Sequence, residues 1–275
     1  MTFTFRNAIC AVPTLAVGGR GYAHLGFSVQ AGGKHTIGTQ NSIVHLRNGY
    51  FELVSVHDPV GAQNSPRRKA IMDFIEREGG GLIGFTLRTD SMANDIERLC
   101  ERELCYGGPV VAERTTDDGT VYTWKVLRPV PQPCPALMPV VIVGEDPPAE
   151  STEHANTVSD IGGVAIATND PQRMISDYAI LLDRAPVDEV RRDDLGARAT
   201  VFDVSGFRIE ILEAVGSGLA QEVLARYGPR PVELQLTAKD LNEVAEYLGL
   251  AVRDDEVVVP PILGVGMRMR LTSTM

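Results

Sequence analysis

Two periodicities alternate along the chain. Runs of five to nine residues with strand-like alternation, such as "NAICAV", "NSIVHL", "YFELVSV" and "GLIGFTLRT", are broken by segments with helical spacing of apolar positions. The segment "PTLAVGGRGYAHLGFSV" has room for a short helix before "GFSV". In "DSMANDIERLCERELC" an Asp/Ser cap precedes apolar residues at Met92, Ile96, Leu99 and Leu104. The first round therefore reads strand, helix, strand, strand, strand, and the second repeats it through "PVVAERTT", "TVYTWKVL" and "LMPVVIVGED". A third round runs from "IGGVAIATND" through "PQRMISDYAILLD" to "RATVFDV" and "FRIEILEAV". A fourth comprises "VELQLTAKD", "LNEVAEYLGL", "DEVVVPP" and "MRMRLTS". The pattern predicts an α+β protein of four βαβββ units. A Pro-rich break, "GEDPPAEST", splits it into two domains, residues 1–148 and 157–275. Sheets built from hairpin-linked strands should carry helices on one face, and two such sheets facing each other enclose a concave space.

The Asn-Gly pair in "HLRNGYFEL" is a hairpin signal. With Asn48 and Gly49 as the central turn residues, Arg47 would pair with Tyr50, Leu46 with Phe51, and His45 with Glu52. His45 and Glu52 would then be neighbours on one face, as a site pair or as a surface cross-strand pair. Glu52 stands among apolar positions, where a carboxylate needs a partner.

The pattern resembles the vicinal oxygen chelate superfamily, which includes glyoxalase I, extradiol dioxygenases and bleomycin-resistance proteins. Residues 5–60 look like its glyoxalase-like domain subfamily, in which "GG-x-H…GT-x-N" leads into "NGY-x-EL". Here these are Gly32, Gly33, His35, Gly38, Thr39, Asn41, Asn48, Gly49, Tyr50, Glu52 and Leu53. Weaker agreement follows in "LRTDS", in "DGTVYTWKV" and in "HAN" at His154–Asn156. In metal-using members the resemblance implies His and Glu ligands from the first and fourth strands of each unit. Those positions here fall on Asn7 and Glu52, then about Gly84 and Val143, then Gly163 and Glu210, and near Leu234 and Arg270. One carboxylate per half without histidines does not make a three-ligand divalent site, so no metal and no other cofactor is expected.

Each candidate has a plain alternative. His35, in a Gly-rich segment that permits close approach of a ligand, is otherwise a loop histidine. Asn41 suits a carbonyl or carboxylate or caps a turn, and Thr39 joins it in the motif. Trp124, with Tyr122 on the same face, is a core aromatic or a pocket wall. Arg88 meets an anion bidentately or a surface carboxylate, and Arg114 is a weaker candidate of that kind. Through the resemblance, His154 and Asn156 also become ligand-binding candidates. His24 and His57 read as loop residues, and Glu210 as a trace of shared ancestry.

Composition narrows the classes. Hydrophobic residues make up 44%, and the net charge is −10, which disfavours a nucleic-acid surface. The short basic run "SPRRKA" reads as a solvated loop or helix start. No apolar stretch reaches about 20 residues and no signal-peptide pattern is present, so a cytoplasmic location is expected. Cys10, Cys100, Cys105 and Cys134 read as free, mostly buried thiols. The expected partners are a small-molecule ligand and a second copy in a homodimer, with neither nucleic acid nor membrane. Three functional classes stay open. One is a metal-independent lyase, isomerase or epimerase, with Glu52 as general base, its pKa raised by apolar neighbours, and His35, His45 or Asn41 orienting a substrate carbonyl. The others are a sequestering protein of the bleomycin-resistance kind and a regulatory or scaffold module.

Overall fold

The computed structural model describes residues 3–60 and 65–274. The first half holds β1 (Thr4–Ala11), α1 (Leu15–His24), β2 (Gln30–His35), β3 (Thr39–Leu46), β4 (Gly49–Val56), α2 (Pro66–Glu78), β5 (Gly81–Arg88), α3 (Met92–Glu101), β6 (Tyr106–Thr115), β7 (Val121–Pro129) and β8 (Val140–Val143). Its strands close into an eight-stranded barrel, β1-β4-β3-β2-β6-β7-β8-β5. Within each unit the first strand runs parallel to the last, β1 with β4 and β5 with β8. The units join along β1–β5 and by the two residue pairs Lys34↔Thr115 and His35↔Arg114 between β2 and β6.

The second half holds β9 (Val158–Ala167), α4 (Pro171–Leu182), β10 (Asp188–Arg192), β11 (Ala197–Val204), β12 (Phe207–Ala214), α5 (Leu219–Tyr227), β13 (Arg230–Ala238), α6 (Leu241–Leu248), β14 (Glu256–Val259) and β15 (Met269–Ser273). These strands form an open sheet, β10-β11-β12-β9-β13-β15-β14. Among the described residues the fourth unit has two strands after its helix, the two its sequence pattern shows, where the other units have three. The absent strand is the counterpart of β6, the one that closes the barrel in the first half, so β10 and β14 remain sheet edges.

Local signals account for the helices. In α2, which includes the basic run, Ser65 accepts a hydrogen bond from Arg68 N, Pro66 occupies the first turn, and Gly79 ends the helix in the left-handed region at φ 78°. Helix α5 was not expected; it links the third and fourth units as α2 links the first and second. His24 ends α1 rather than lying in a loop. Only Cys10 of the four free thiols is buried, whereas Cys100 and Cys105 are exposed, contrary to expectation, because the polar outer face of α3 and the turn after it carry them. One apolar core spans both halves, with Phe5 stacked on Phe207 at 4.2 Å and Phe85 beside it. Among the described residues no helix is long and apolar enough to cross a membrane.

Candidate functional site

The inward face of β1, β3, β4 and β5 carries an unusual number of polar groups for a barrel interior. Asn7, Thr39, Asn41 and Thr86 are all buried, and they line a cavity of about 160 Å³ inside the barrel together with Glu52 and His35. Asn41 Nδ2 donates to Glu52 Oε1 at 2.6 Å, and its Oδ1 accepts from Gly33 N at 2.8 Å. A Cβ on Gly32 would sit 2.1 Å from that same Oδ1, so the glycine pair is what lets β2 approach Asn41. On the other side Asn7 Nδ2 lies 3.4 Å from Glu52 Oε2, while the Thr86 hydroxyl donates to Asn7 Oδ1. His35 Nε2 is 3.4 Å from Glu52 Oε1 and its Nδ1 is 2.9 Å from Thr39 Oγ1. Glu52 is therefore held by amide and imidazole groups, not set among apolar neighbours as its strand suggested.

Burial lowers the His35 pKa from its ordinary 6.5. Glu52 opposes that shift, while Arg114, Arg67 and His57 reinforce it. A neutral imidazole beside Glu52 at neutral pH follows.

The hairpin register differs from the expected one. Ile43 opposes Glu52, His45 opposes Tyr50 and Leu46 opposes Gly49, so Arg47 and Asn48 form the turn. Contact with β9 explains it. Arg47 N donates to Ser159 O, and Asn48 exchanges two hydrogen bonds with the Ile161 backbone at 2.8 and 2.9 Å. A shift of two residues preserves the face but moves His45 away from Glu52. Its ring packs against Tyr50, its Nε2 has no hydrogen-bond partner among the described residues, and burial lowers its pKa.

The remaining candidates divide. Trp124 and Tyr122 line the cavity, with the His35 ring edge-on to Trp124 at 6.2 Å. Arg88 does not line it and pairs with Asp146. His154 and Asn156 also lie outside, where they tie the two halves together. His154 accepts from Ser28 N at 3.0 Å and donates Nε2–H to His45 O at 2.7 Å, and Asn156 donates to Leu25 O at 2.7 Å. Arg114 does line the cavity, along with Arg67 and Arg128, which sequence reasoning passed over. Thr86 was missed too; its signal was a hydroxyl in the otherwise apolar "GLIGFTL".

Strand registers correct the equivalences between units. Thr86 pairs with Val140 as Asn7 pairs with Tyr50, so the second-unit counterparts of Asn7 and Glu52 are Thr86 and Ile142, not Gly84 and Val143. In the third unit Gly163 and Glu210 keep their expected places. In the fourth, Gln235 pairs with Arg270, which makes the counterparts Gln235 and Thr272 rather than Leu234 and Arg270.

The donor set does not suit a divalent ion. The amide oxygens of Asn7 and Asn41 are engaged by Thr86 and Gly33, their NH₂ groups face Glu52, and Thr39 takes His35 Nδ1. What remains is one carboxylate and one imidazole nitrogen, short of the three protein ligands a catalytic centre uses. Among the described residues no three His, Cys, Asp or Glu are grouped to hold a metal.

The profile of the glyoxalase-like domain family matches residues 8–182. No curated protein matches. A hypothetical protein from Staphylococcus aureus superposes with a TM-score of 0.68 at 15% identity, covering 99% of this chain and 100% of that one. A mutant of 4-hydroxymandelate synthase from Streptomyces coelicolor gives 0.65 at 12%, covering 99% and 92%. A xylose isomerase-like TIM barrel/4-hydroxyphenylpyruvate dioxygenase fusion protein gives 0.59 at 14%, covering 98% of this chain and 49% of that one. At these identities the superpositions speak to fold. With a family match across more than half its length, the chain belongs to the glyoxalase-like domain family.

Proposed function

We propose that residues 1–148 form a domain that binds a small carbonyl-containing or aromatic molecule inside its barrel. On this reading Glu52 exchanges a proton with the bound molecule without help from a divalent metal, and residues 157–275 form a second domain without a working pocket. The asymmetry at Glu52 carries the reading. Oε1 takes the short bond from Asn41 and the contact from His35, whereas among the described residues Oε2 has only the long 3.4 Å approach of Asn7. Oε2 is thus the oxygen left to accept a proton, and the other contacts fix the carboxylate's orientation. A C–H next to a ligand carbonyl would give its proton to Oε2, its electron pair moving onto the carbonyl oxygen. Return of the proton to the opposite face of the same carbon completes an epimerisation. Where that carbon carries a hydroxyl, its return to the former carbonyl carbon, with the hydroxyl proton passing to the enolate oxygen, completes an isomerisation.

Soluble aldehydes and ketones with a hydrogen next to the carbonyl, incubated with the protein in D₂O and followed by proton NMR, test this. Exchange that requires wild-type protein and is lost in Glu52→Gln is the expected result; exchange untouched by that change contradicts it. Non-catalytic sequestration is the second reading, favoured by the aromatic wall of Tyr50, Tyr122 and Trp124. It corresponds to binding with no exchange in wild type. Elemental analysis of untagged protein should show well under one equivalent of Zn, Fe, Mn or Ni. A full equivalent lost on Glu52→Ala would refute the metal-free mechanism.

A further inference from the structure

Arginines with little solvent exposure are mostly paired with an acid in this protein. Arg6 and Arg88 meet Asp146, Arg68 meets Asp58, Arg98 meets Asp95 and Arg230 meets Glu78. The three guanidinium groups on the cavity wall beyond Arg6 break that rule. Arg67 on α2, Arg114 on β6 and Arg128 on β7 have no hydrogen bond and no ion pair among the described residues. Arg114 is only 6% exposed, its Nε is buried without a hydrogen-bond partner among the described residues, and its guanidinium lies 4.9 Å from the centre of the Tyr122 ring. Leaving a buried charged donor unsatisfied is costly, and a guanidinium does not escape by losing its proton.

The acidic groups lining the same cavity do not supply the missing charge. Glu52 is committed to Asn41, Asn7 and His35, and neither Glu113 nor Glu145 forms an ion pair with these arginines. Arg114 pairs with His35 across β2 and β6, and both Arg114 and Arg67 are close enough to His35 to lower its proton affinity, so they lie toward the His35–Glu52 end of the cavity. Burial pushes both Arg67 and Arg128 below their ordinary pKa; at Arg67 the neighbouring Arg128 adds to the shift, and Cys134 and Glu52 oppose it without reversing it. Like charges gathered in a partly dry space, without a counter-ion, are arranged for an anion that arrives from outside.

We propose that the ligand of this cavity carries an anionic group, carboxylate or phosphate, on an apolar or aromatic body, and that Arg67, Arg114 and Arg128 receive that group. This rests on the cavity being the ligand site and adds the ligand's chemical class. The apolar body has its own surface in Trp124, Tyr122, Val126 and Ile142. With the anion among the arginines, the rest of the molecule lies within reach of Glu52.

The test is calorimetric titration at low ionic strength with phenylacetate, phenyl phosphate and the neutral isostere phenylacetamide. At least one anion should bind about tenfold tighter than the amide, the scale of one charge-assisted hydrogen bond. The preferred anion tells carboxylate from phosphate recognition. Arg114→Met and the double change Arg67→Gln/Arg128→Gln should each erase most of the preference, and Arg114→Lys, which keeps the charge but not the planar fork, should erase part of it. Glu52→Gln should keep the preference. Arg114→Met and the double change remove unpaired charge, so their melting temperatures should hold or rise. If the amide binds as tightly as both anions, or the preference survives the arginine changes, the anion assignment fails while the cavity remains the ligand site. If none of the three compounds binds, both fail.

Discussion

Glu52 and Glu210 occupy the same place in the two halves and meet opposite surroundings. Each is on the last strand of its unit, opposite Ile9 and Ile43 in one case and Ala165 and Val201 in the other. Carrying the register outward puts Gly163 where Asn7 stands, Ala199 where Asn41 stands and Arg192 where His35 stands. The two amides that hold Glu52 are thus gone, and the imidazole is replaced by a guanidinium. Arg192 pairs with Glu210 and, at 2.7 Å, with Glu233, while Arg268 and Arg270 add further contacts to the same acids. Glu210 and Glu233 are fully buried. One fold position thus serves as a pre-oriented carboxylate facing open space in the first half and as part of a filled ionic core in the second. Fold alone does not make a site; the partners of the carboxylate do.

The comparison can be broken most forcefully at Arg192. Its change to Met leaves Glu210 and Glu233 short of their countercharge and should lower stability by about 3–5 kcal/mol, read from chemical denaturation. Ligand binding in the first half should be unaffected in the protein that remains folded. A loss under about 1 kcal/mol would mean the ionic core is not structural.

Asn41 is the next lever. Asn41→Ala takes the hydrogen-bond acceptor from Gly33 N and the short donor from Glu52, and should cost about 1–3 kcal/mol together with any ligand exchange. Unchanged exchange would show that Glu52 needs no orientation. The smallest effect concerns pH. Burial lowers the proton affinity of His35, His45 and His154, so the unfolded chain takes up protons more readily than the folded one. Their contribution is fully present above the ordinary value of 6.5 and is lost as pH falls below it. Melting temperature should drop between pH 7.5 and 5.5, and the drop should be shallower in His35→Gln. An equal drop in that variant would place His35 outside the buried site.

How far the sequence disclosed all this differs by level. Strand and helix alternation was legible because each element's own periodicity carries it. The register at Glu52 was not, since an isolated Asn-Gly pair favours one turn while docking of Asn48 on Ile161 imposes another. Glu52, His35, Thr39, Asn41 and Trp124 do converge, because alternation along β2, β3, β4 and β7 puts them on the barrel's inner face. His154, Asn156 and Arg88 do not, since they come from the segment between the halves and from the end of β5, where tertiary contacts claim them. Arg67 and Arg128 were hidden because an arginine without a partner looks, in sequence, like any other surface charge.

The most direct test sets Glu52→Gln beside Glu210→Gln in parallel thermal melts and ligand-binding assays, using the best-bound anion from the titration series. Glu52→Gln should leave the melting temperature within about 2 °C, less than 1 kcal/mol for a chain of this size, while it weakens binding or abolishes proton exchange. Glu210→Gln should lower the melting temperature clearly and leave affinity unchanged within about a factor of two. A clear fall in the melting temperature of Glu52→Gln with unaltered affinity and exchange would make Glu52 a structural residue like its counterpart, and the distinction between the two halves would be wrong.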